Sequence, residues 1–179
     1  MNNSFGKNII PGNEAERIKA LESYNVLYDL PDRYFSNLAH IIAASFGTPV
    51  ALITLVKSER VIFKGNVGME GTNSADRGVS LCSLAILDNN VTVFGDALDE
   101  PCLLSNPNVV GEFGLRFYAA SPITTPGGFN IGTVCVIDKA PRAFTIKEQE
   151  LLQRFAENVM HELEKRKSMH SIEQAKNRN

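Results

Sequence analysis

Residues 115–138 read LRFYAASPITTPGGFNIGTVCVID. Both halves of this stretch are apolar and rich in β-branched and aromatic residues, as is typical of buried strands. Between the halves, Pro126, Gly127 and Gly128 supply the fixed and positive φ values that a tight reversal needs. The stretch therefore predicts a two-stranded antiparallel hairpin, and it makes an antiparallel sheet the core of the protein.

Length and composition favour one globular domain, because the chain has 179 residues and 44% of them are hydrophobic. A net charge of -2 gives no electrostatic footprint for nucleic acid or an anionic membrane. The sequence has no apolar run of transmembrane length, and its first residues lack the apolar region of a signal peptide. We therefore expect a soluble, cytoplasmic protein with no nucleic-acid or membrane partner.

The cysteine pattern argues against a disulfide framework or a structural zinc site. Cys82, Cys102 and Cys135 are odd in number and have no Cys-x-x-Cys spacing. The three histidines lie in helical patterns without a nearby set of ligands. The sequence therefore predicts no metal and no cofactor, with Cys135 serving as a small buried hydrophobe in its strand.

Two helices are predicted near the start, after a flexible polar tail over residues 1–12. The first carries Ile18 and Leu21 at helical spacing and ends near Tyr24. Pro31 opens the second, and Gly47 stops it. Its apolar face comprises Phe35, Leu38, Ala39, Ile42 and Phe46.

Strands and irregular segments follow the two helices. Residues 50–56 and 61–67 predict a strand hairpin, and residues 69–78 a polar loop. A short helix capped by Ser80 and a brief strand over 91–94 come next. Residues 96–114 form a long excursion with at most one short helix, and such an excursion is more often functional than idle. This order of elements indicates an α+β domain.

The last helix begins with a capping box formed by Thr145 and Glu148. Its predicted inward face comprises Leu152, Phe155, Ala156, Val159 and Leu163. The charged run at 162–167 predicts a solvated helix face. The alternative is pairing of this helix in a dimer, for which Leu151 and Met160 would remain available.

Several of these sequence motifs, taken together, resemble the sequence pattern of a known family. The arm Arg116-Phe117-Tyr118-Ala119, then Pro122 and Thr125-Pro126, then residues 132–138 and Pro141-Arg142, are similar to the second half of a GAF domain. Upstream, the resemblance continues through Asn13-Glu14, Arg17, Leu21, Tyr24, Leu27, residues 49–53, Phe63-Lys64, Gly68, Ser80-Leu81-Cys82, Ala85-Ile86 and Asp96-Ala97. It covers nearly everything between Asn13 and Lys165.

The resemblance implies a fold and a domain plan. A central antiparallel sheet of five or six strands would carry the N- and C-terminal helices on one face and a lid of loops and short helices on the other. A pocket would lie beneath the lid. The GAF domain would span residues 13–165, and residues 166–179 would form a polar helical extension or tail.

The resemblance also implies a function in signal transduction, as in bacterial histidine kinases and related two-component regulators. GAF domains of this type are non-enzymatic sensors that bind a small molecule and relay its state through terminal helices. The expected partners are an unknown small-molecule ligand, a second copy of the chain paired through the terminal helices, and a signalling output partner.

Six residues are the candidate ligand-binding set by their position in the family pattern: Arg77, Ser80, Cys82, Asp96, Arg116 and Tyr118. An arginine beside aromatic residues can hold an anionic or planar ligand by charge and stacking. The alternative is a purely structural role for Arg116, in which an ion pair with Asp96 or Asp138 ties the sheet to its lid.

Two other readings stay open. Cys82 and Cys102 could form a redox pair, as cysteines lining this pocket do in the GAF-like free methionine sulfoxide reductases. The chain could instead be a ligand-free dimerisation module in which side chains fill the space under residues 96–114.

Three further family activities are disfavoured. Tetrapyrrole attachment relies on a cysteine followed by histidine, whereas Ser83 follows Cys82. Cyclic-nucleotide sites carry an Asn-Lys pair that is missing here. His161 lacks the residues that normally follow the phosphoacceptor histidine of histidine kinases, so we interpret it as a solvated helix residue.

Overall fold

A computed structural model describes residues 2–24 and 32–177 and confirms the α+β fold. The helices are α1 (Glu14–Glu22), α2 (Arg33–Phe46), α3 (Cys82–Ala85), α4 (Pro107–Val110) and α5 (Ile146–Lys176). The strands are β1 (Val50–Val56), β2 (Arg60–Val67), β3 (Ser74–Asp76), β4 (Thr92–Phe94), β5 (Phe117–Thr124) and β6 (Asn130–Asp138). Two short 3-10 turns, Ala97–Asp99 and Pro101–Leu103, lie between β4 and α4.

The six strands form one sheet in the order β3-β2-β1-β6-β5-β4, and every neighbouring pair is antiparallel. The predicted hairpin is β5 and β6, in which Ala120 lies opposite Cys135. Its turn closes with a hydrogen bond from the Thr125 amide to the Phe129 carbonyl, and Gly128 takes a φ of 85°. The turn glycine is therefore used as the sequence predicts.

Strand β6 also packs against β1 with no room for a side chain at Gly132. A β-carbon built there would stand 1.9 Å from the backbone oxygen of Thr54. On the opposite face of the sheet from the helices, the Thr54 and Thr133 hydroxyls lie 2.8 Å apart and are fully buried. The backbones of β1 and β6 thus approach so closely at Gly132 that only glycine fits there.

Two hydrophobic clusters lie on opposite faces of the sheet. The first packs α1, α2 and α5 against one face, and the predicted apolar faces of α2 and α5 are buried in it, with Phe155 partly exposed. The second packs the other face against α3 and the excursion. We call α3 together with residues 96–114 the roof. This two-sided arrangement is the one that the family resemblance implies.

Some local elements differ from the predictions. The predicted loop over 69–78 contains β3, a three-residue strand that pairs with the edge of β2 and has no periodicity of its own. Helix α3 is shorter than predicted, and its N-cap is Leu81 rather than Ser80. Helix α2 begins after Asp32, whose side chain accepts the amides of Tyr34 and Phe35. Pro31 lies outside the described residues.

The N-terminal segment is not a flexible tail over residues 2–10, and we call it the strap. Phe5 and Ile9 pack into the second cluster and are buried there. The Ser4 amide donates to the Gly78 carbonyl, and Asn106, itself fully buried, donates to the Ser4 hydroxyl. The strap therefore fastens the roof to the loop that precedes α3.

The charged run of α5 is only partly solvated: Glu162 pairs with Lys165 and Arg166 along the helix, as predicted, and Lys165 is 67% exposed, but two residues bind other elements. Arg166 forms an ion pair with Asp32 at the start of α2 and lies over the ring of Phe35. Tyr24, just after α1, donates its hydroxyl to Glu164. Met160 was expected to remain available to a partner helix, but it is only 6% exposed and is therefore not available. Helix α5 continues to Lys176, where Met169 and Ile172 are among the exposed large apolar residues.

Across residues 2–24 and 32–177, no helix combines the length and the apolar character needed to cross a lipid bilayer.

Candidate ligand cavity

A cavity of about 180 Å³ lies between the sheet and the roof. The strands that form its floor alternate their side chains between the two faces, so that one residue in two points toward it. Its walls comprise Leu52, Phe63, Met69, Thr72, Ala75, Ser80, Leu81, Cys82, Asn108, Phe113, Leu115, Tyr118 and Ile137. Thr72 is exposed, which places the mouth on its side, and the half-buried wall residues are Phe63, Met69, Ala75, Asn108 and Phe113.

The cavity wall is mainly apolar and aromatic, and its described residues include no Lys, Arg, His, Asp or Glu. Lys139 lies outside, over the ring of Phe113 at the mouth, with its nitrogen 5.1 Å from the ring centre. Apolar cavities of roughly 150 Å³ hold a molecule the size of benzene. This space therefore suits a small, uncharged, largely apolar molecule better than a phosphorylated one.

A cluster of polar groups and thiols lies at the buried inner end. The Tyr118 hydroxyl donates to the Cys82 sulfur over 3.4 Å, and both residues are almost fully buried. Cys135, on β6, is buried in the same hydrophobic cluster as Cys82. Its hydrogen bond lowers the pKa of Cys82 despite burial, and the same bond, together with burial, raises the pKa of Cys135. Burial likewise raises the pKa of Tyr118, so its hydroxyl stays a donor.

The structure brings together three of the six predicted site residues. Ser80, Cys82 and Tyr118 line the cavity. Asp96 instead caps the first 3-10 turn by accepting the Leu98 amide. Arg116 donates to the backbone oxygens of Val109 and Leu115, so the ion pair considered for it with Asp96 or Asp138 is not the contact found.

Arg77 is fully buried, but it belongs to an ion-pair network behind the cavity. Its guanidinium contacts both oxygens of Glu14, at 2.5 and 3.2 Å, and donates to the backbone oxygen of Lys57. Arg17 binds the same carboxylate and the Val56 carbonyl. Burial would raise the pKa of Glu14, but the hydrogen bonds from both arginines outweigh burial and hold it below its ordinary value. Arg77 is therefore a structural residue that fixes α1 and β3.

We expect the domain to lose stability in acid for this reason. The pKa values of Glu14, Asp32 and Asp138 are lowered: burial opposes the shift in each, and arginine contacts outweigh it. A carboxyl group with a lowered folded pKa stabilises the protein fully above its unfolded pKa, and this contribution is lost as pH falls. Urea unfolding at constant ionic strength should therefore show a free energy of unfolding that drops between about pH 5 and pH 3. A constant or rising free energy over that range would contradict the assignment.

Most of the wall was not predicted from sequence. Leu52 and Phe63 could have been found from strand alternation once the buried face was known. Met69, Phe113 and Leu115 come from irregular segments in which no periodicity marks the inner side. Cys135 is fully buried in its strand, as predicted.

The described residues include no group of three or more His, Cys, Asp or Glu side chains that could hold a metal ion. Cys102 lies on the second 3-10 turn, packed against the second cluster, and is not a wall residue. The alternative of a redox pair between Cys82 and Cys102 gains no support from the cavity, because only Cys82 of the two lines it.

Comparison with known proteins agrees with this architecture. A cyclic di-GMP phosphodiesterase of Pseudomonas aeruginosa is 32% identical over 165 residues, which are 92% of this chain but only 28% of the relative. The chain thus spans less than a third of that protein's length.

Solved structures share the fold at lower identity. A GAF domain from an Acinetobacter phosphoenolpyruvate-protein phosphotransferase has a TM-score of 0.63 at 13% identity and covers 88% of this chain and 96% of its own. The free methionine-R-sulfoxide reductase of Neisseria meningitidis has a TM-score of 0.61 at 18% identity, covering 88% and 92%. The family model for the GAF domain matches residues 31–163. With the sheet, the roof and the cavity in agreement, this chain belongs to the GAF domain family.

Proposed function

We propose that this chain is a non-enzymatic sensory domain that binds a small, uncharged, largely apolar molecule under the roof and relays its presence through α5. The observation that carries the proposal is the cavity itself. Its wall offers aromatic and aliphatic surface with hydroxyl, amide and thiol groups, the combination typical of small-molecule sites. A ligand-free dimerisation module would have no need for this space.

The relay is supported by the contacts of α5. Its first half packs on the sheet face opposite the cavity, and its charged run is tied to α1 and α2 through Tyr24 and Asp32. A ligand that binds one arrangement of roof and sheet more tightly shifts the conformational equilibrium toward that arrangement, and the position of α5 changes with it. The exposed end of α5, with Met169 and Ile172, supports pairing with a second copy or with an output element.

The relative in Pseudomonas supports a role in cyclic di-GMP signalling. That relative is named a phosphodiesterase, and the present chain matches only a minor part of it. In this proposal the chain supplies the sensing part that modulates such an output. Cyclic di-GMP itself is not the ligand, because the cavity wall has no cation to hold its phosphates.

Catalysis of the sulfoxide-reductase type is not favoured. The similarity to the Neisseria enzyme lies below 25% identity and supports the fold alone. Cys102, one of the two cysteines considered for such a reaction, lies outside the cavity wall.

Native mass spectrometry of protein purified from its own host tests the proposal. We expect a small neutral molecule to co-purify, and we expect Ala75→Leu to reduce its occupancy at least about tenfold by filling the mouth-side wall. Ala44→Leu, the same change on the exposed side of α2, is the matched control and should leave occupancy unchanged.

Two results would count against the proposal. One is protein from the host that carries no ligand and binds none from a neutral-metabolite library. The other is a ligand whose occupancy falls equally in Ala75→Leu and Ala44→Leu, because it would then bind outside the cavity.

A further inference from the structure

Two polar side chains of the cavity wall are neighbours, although the wall around them is mainly apolar. Asn108, on α4, donates its side-chain nitrogen to the backbone oxygen of Val79 over 3.1 Å. Ser80 is the next residue in the chain, and both Asn108 and Ser80 line the cavity. We call these two side chains the polar corner.

The polar corner offers a hydrogen-bond acceptor to a ligand. The bond to the Val79 oxygen fixes which end of the Asn108 amide is nitrogen, because a carbonyl oxygen only accepts. Within residues 2–24 and 32–177, no hydrogen-bond donor reaches Oδ1 of the same amide. Ser80 is only 7% exposed, and its hydroxyl can both donate and accept. The polar corner therefore favours a ligand that carries an N–H or O–H group.

Aromatic rings form much of the remaining wall. The Tyr118 ring is held in place, because its hydroxyl donates to Cys82 and its ring packs against that of Phe94, with the ring centres 6.2 Å apart. Phe63 and Phe113 add two further rings. Contacts between aromatic rings are more favourable than the buried area alone explains. A planar aromatic ligand is therefore favoured over an aliphatic one of the same volume.

The volume of the cavity limits the size of such a ligand. Its 180 Å³ is somewhat larger than the apolar cavity of roughly 150 Å³ that holds benzene. One substituted ring or one fused pair of rings fits this space, whereas a nucleotide is too large for it.

We propose that the ligand is a neutral aromatic molecule of one ring or one fused ring pair with a single hydrogen-bond donor, as in phenol and indole. Its ring lies against Phe63, Phe113 and Tyr118, and its O–H or N–H donates to Oδ1 of Asn108 beside the Ser80 hydroxyl. This inference rests on the proposed function, because it gives the chemical class of the molecule bound in the same cavity.

The test compares phenol with toluene, which has the same shape but no donor, by isothermal titration calorimetry of the full chain at pH 7. Phenol is neutral there, because phenolic hydroxyls titrate at about pH 10. In a wholly apolar cavity toluene would bind more tightly, since phenol gives up its hydrogen bonds to water on entry. With the polar corner, we expect phenol to bind at least about threefold more tightly than toluene. Indole should likewise bind more tightly than indene, which lacks the N–H.

Asn108→Leu removes the acceptor and keeps the approximate shape of the side chain. The Val79 oxygen retains Asn106 as a donor, so this variant leaves no backbone oxygen without a partner. We expect its affinity for phenol to fall about tenfold while its affinity for toluene stays the same or rises. Asn37→Leu, the same change on the exposed side of α2, is the matched control and should keep the preference for phenol.

The outcomes separate this inference from the proposed function. Tighter binding of toluene than of phenol, or an equal preference for phenol in Asn108→Leu and Asn37→Leu, would overturn the inference. If Ala75→Leu still weakened toluene, the sensory proposal would stand without it. No binding of any of the four probes at millimolar concentration would also overturn the inference, and the molecule that co-purifies from the host would still decide the proposed function. The wild-type affinities decide the inference alone if Asn108→Leu fails to fold.

Discussion

Replacing Gly132 with alanine is expected to destabilise the domain by about 4 kcal/mol or more, enough to prevent folding of a marginally stable domain. The added methyl would stand 1.9 Å from the Thr54 backbone oxygen and 3.1 Å from the Leu55 Cα. The obstacle is backbone in a central strand, so no side-chain rotation relieves the contact. Strand β1 would have to separate from β6, and both hydrophobic clusters depend on that pair. Soluble yield and urea unfolding of the purified variant measure the effect.

Gly12→Ala is the matched control for this substitution. A β-carbon at Gly12 meets nothing within 4 Å, and its φ is not in the left-handed region. We expect its free energy of unfolding to stay within about 0.5 kcal/mol of the wild type. If Gly132→Ala unfolds at the same urea concentration as Gly12→Ala, the close approach of β1 and β6 is wrong.

The second large effect is expected for Glu14→Gln, which should cost about 3 kcal/mol. Glu14 is the carboxylate shared by Arg17 and Arg77, whose side chains are each 1% exposed. Glutamine keeps the shape but removes the charge, and two buried guanidinium groups then face each other uncompensated. Because the Glu14 side chain is itself 21% exposed, solvent screens part of the loss and the low end of the range for buried pairs applies.

Glu16→Gln tests whether the effect is specific to the network. Glu16 lies on the same helix and is exposed, so its substitution should change the free energy of unfolding by less than about 0.5 kcal/mol. Equal urea midpoints for the two variants would show that the shared carboxylate contributes nothing. A Glu14→Gln variant should also lose the part of the acid sensitivity that Glu14 contributes, whereas the parts from Asp32 and Asp138 should remain.

The fold was predictable because its decisive signals are local. The turn at Gly128 and the capping box at Thr145 each depend on neighbouring residues alone, and both are present. The alternation and spacing of apolar residues placed α2, α5 and the central strands for the same reason. Strand β3 was missed because it exists only through pairing with β2.

The site was less predictable because its groups find partners far along the chain. Arg77 was predicted to bind a ligand, but its guanidinium forms an ion pair with Glu14, which is 63 positions away in the sequence. Arg116 was expected to bind a carboxylate or a ligand, but its guanidinium donates hydrogen bonds to backbone carbonyls instead. Phe5 and Ile9 are isolated apolar residues in a polar segment, so no periodicity announced their burial.

The strap has a consequence for the order in which the molecule assembles. Ser4 contacts Gly78 and Asn106, at separations of 74 and 102 residues, so these hydrogen bonds close very long loops. Closing such long loops loses more chain entropy than closing the short turn of the β5–β6 hairpin, and this loss precedes the contacts that the loops allow. The helical side can thus form as one cooperative unit, with the cavity completed last. In native-state hydrogen exchange, the amides beneath the strap would accordingly belong to a unit that opens at lower free energy than the central strands.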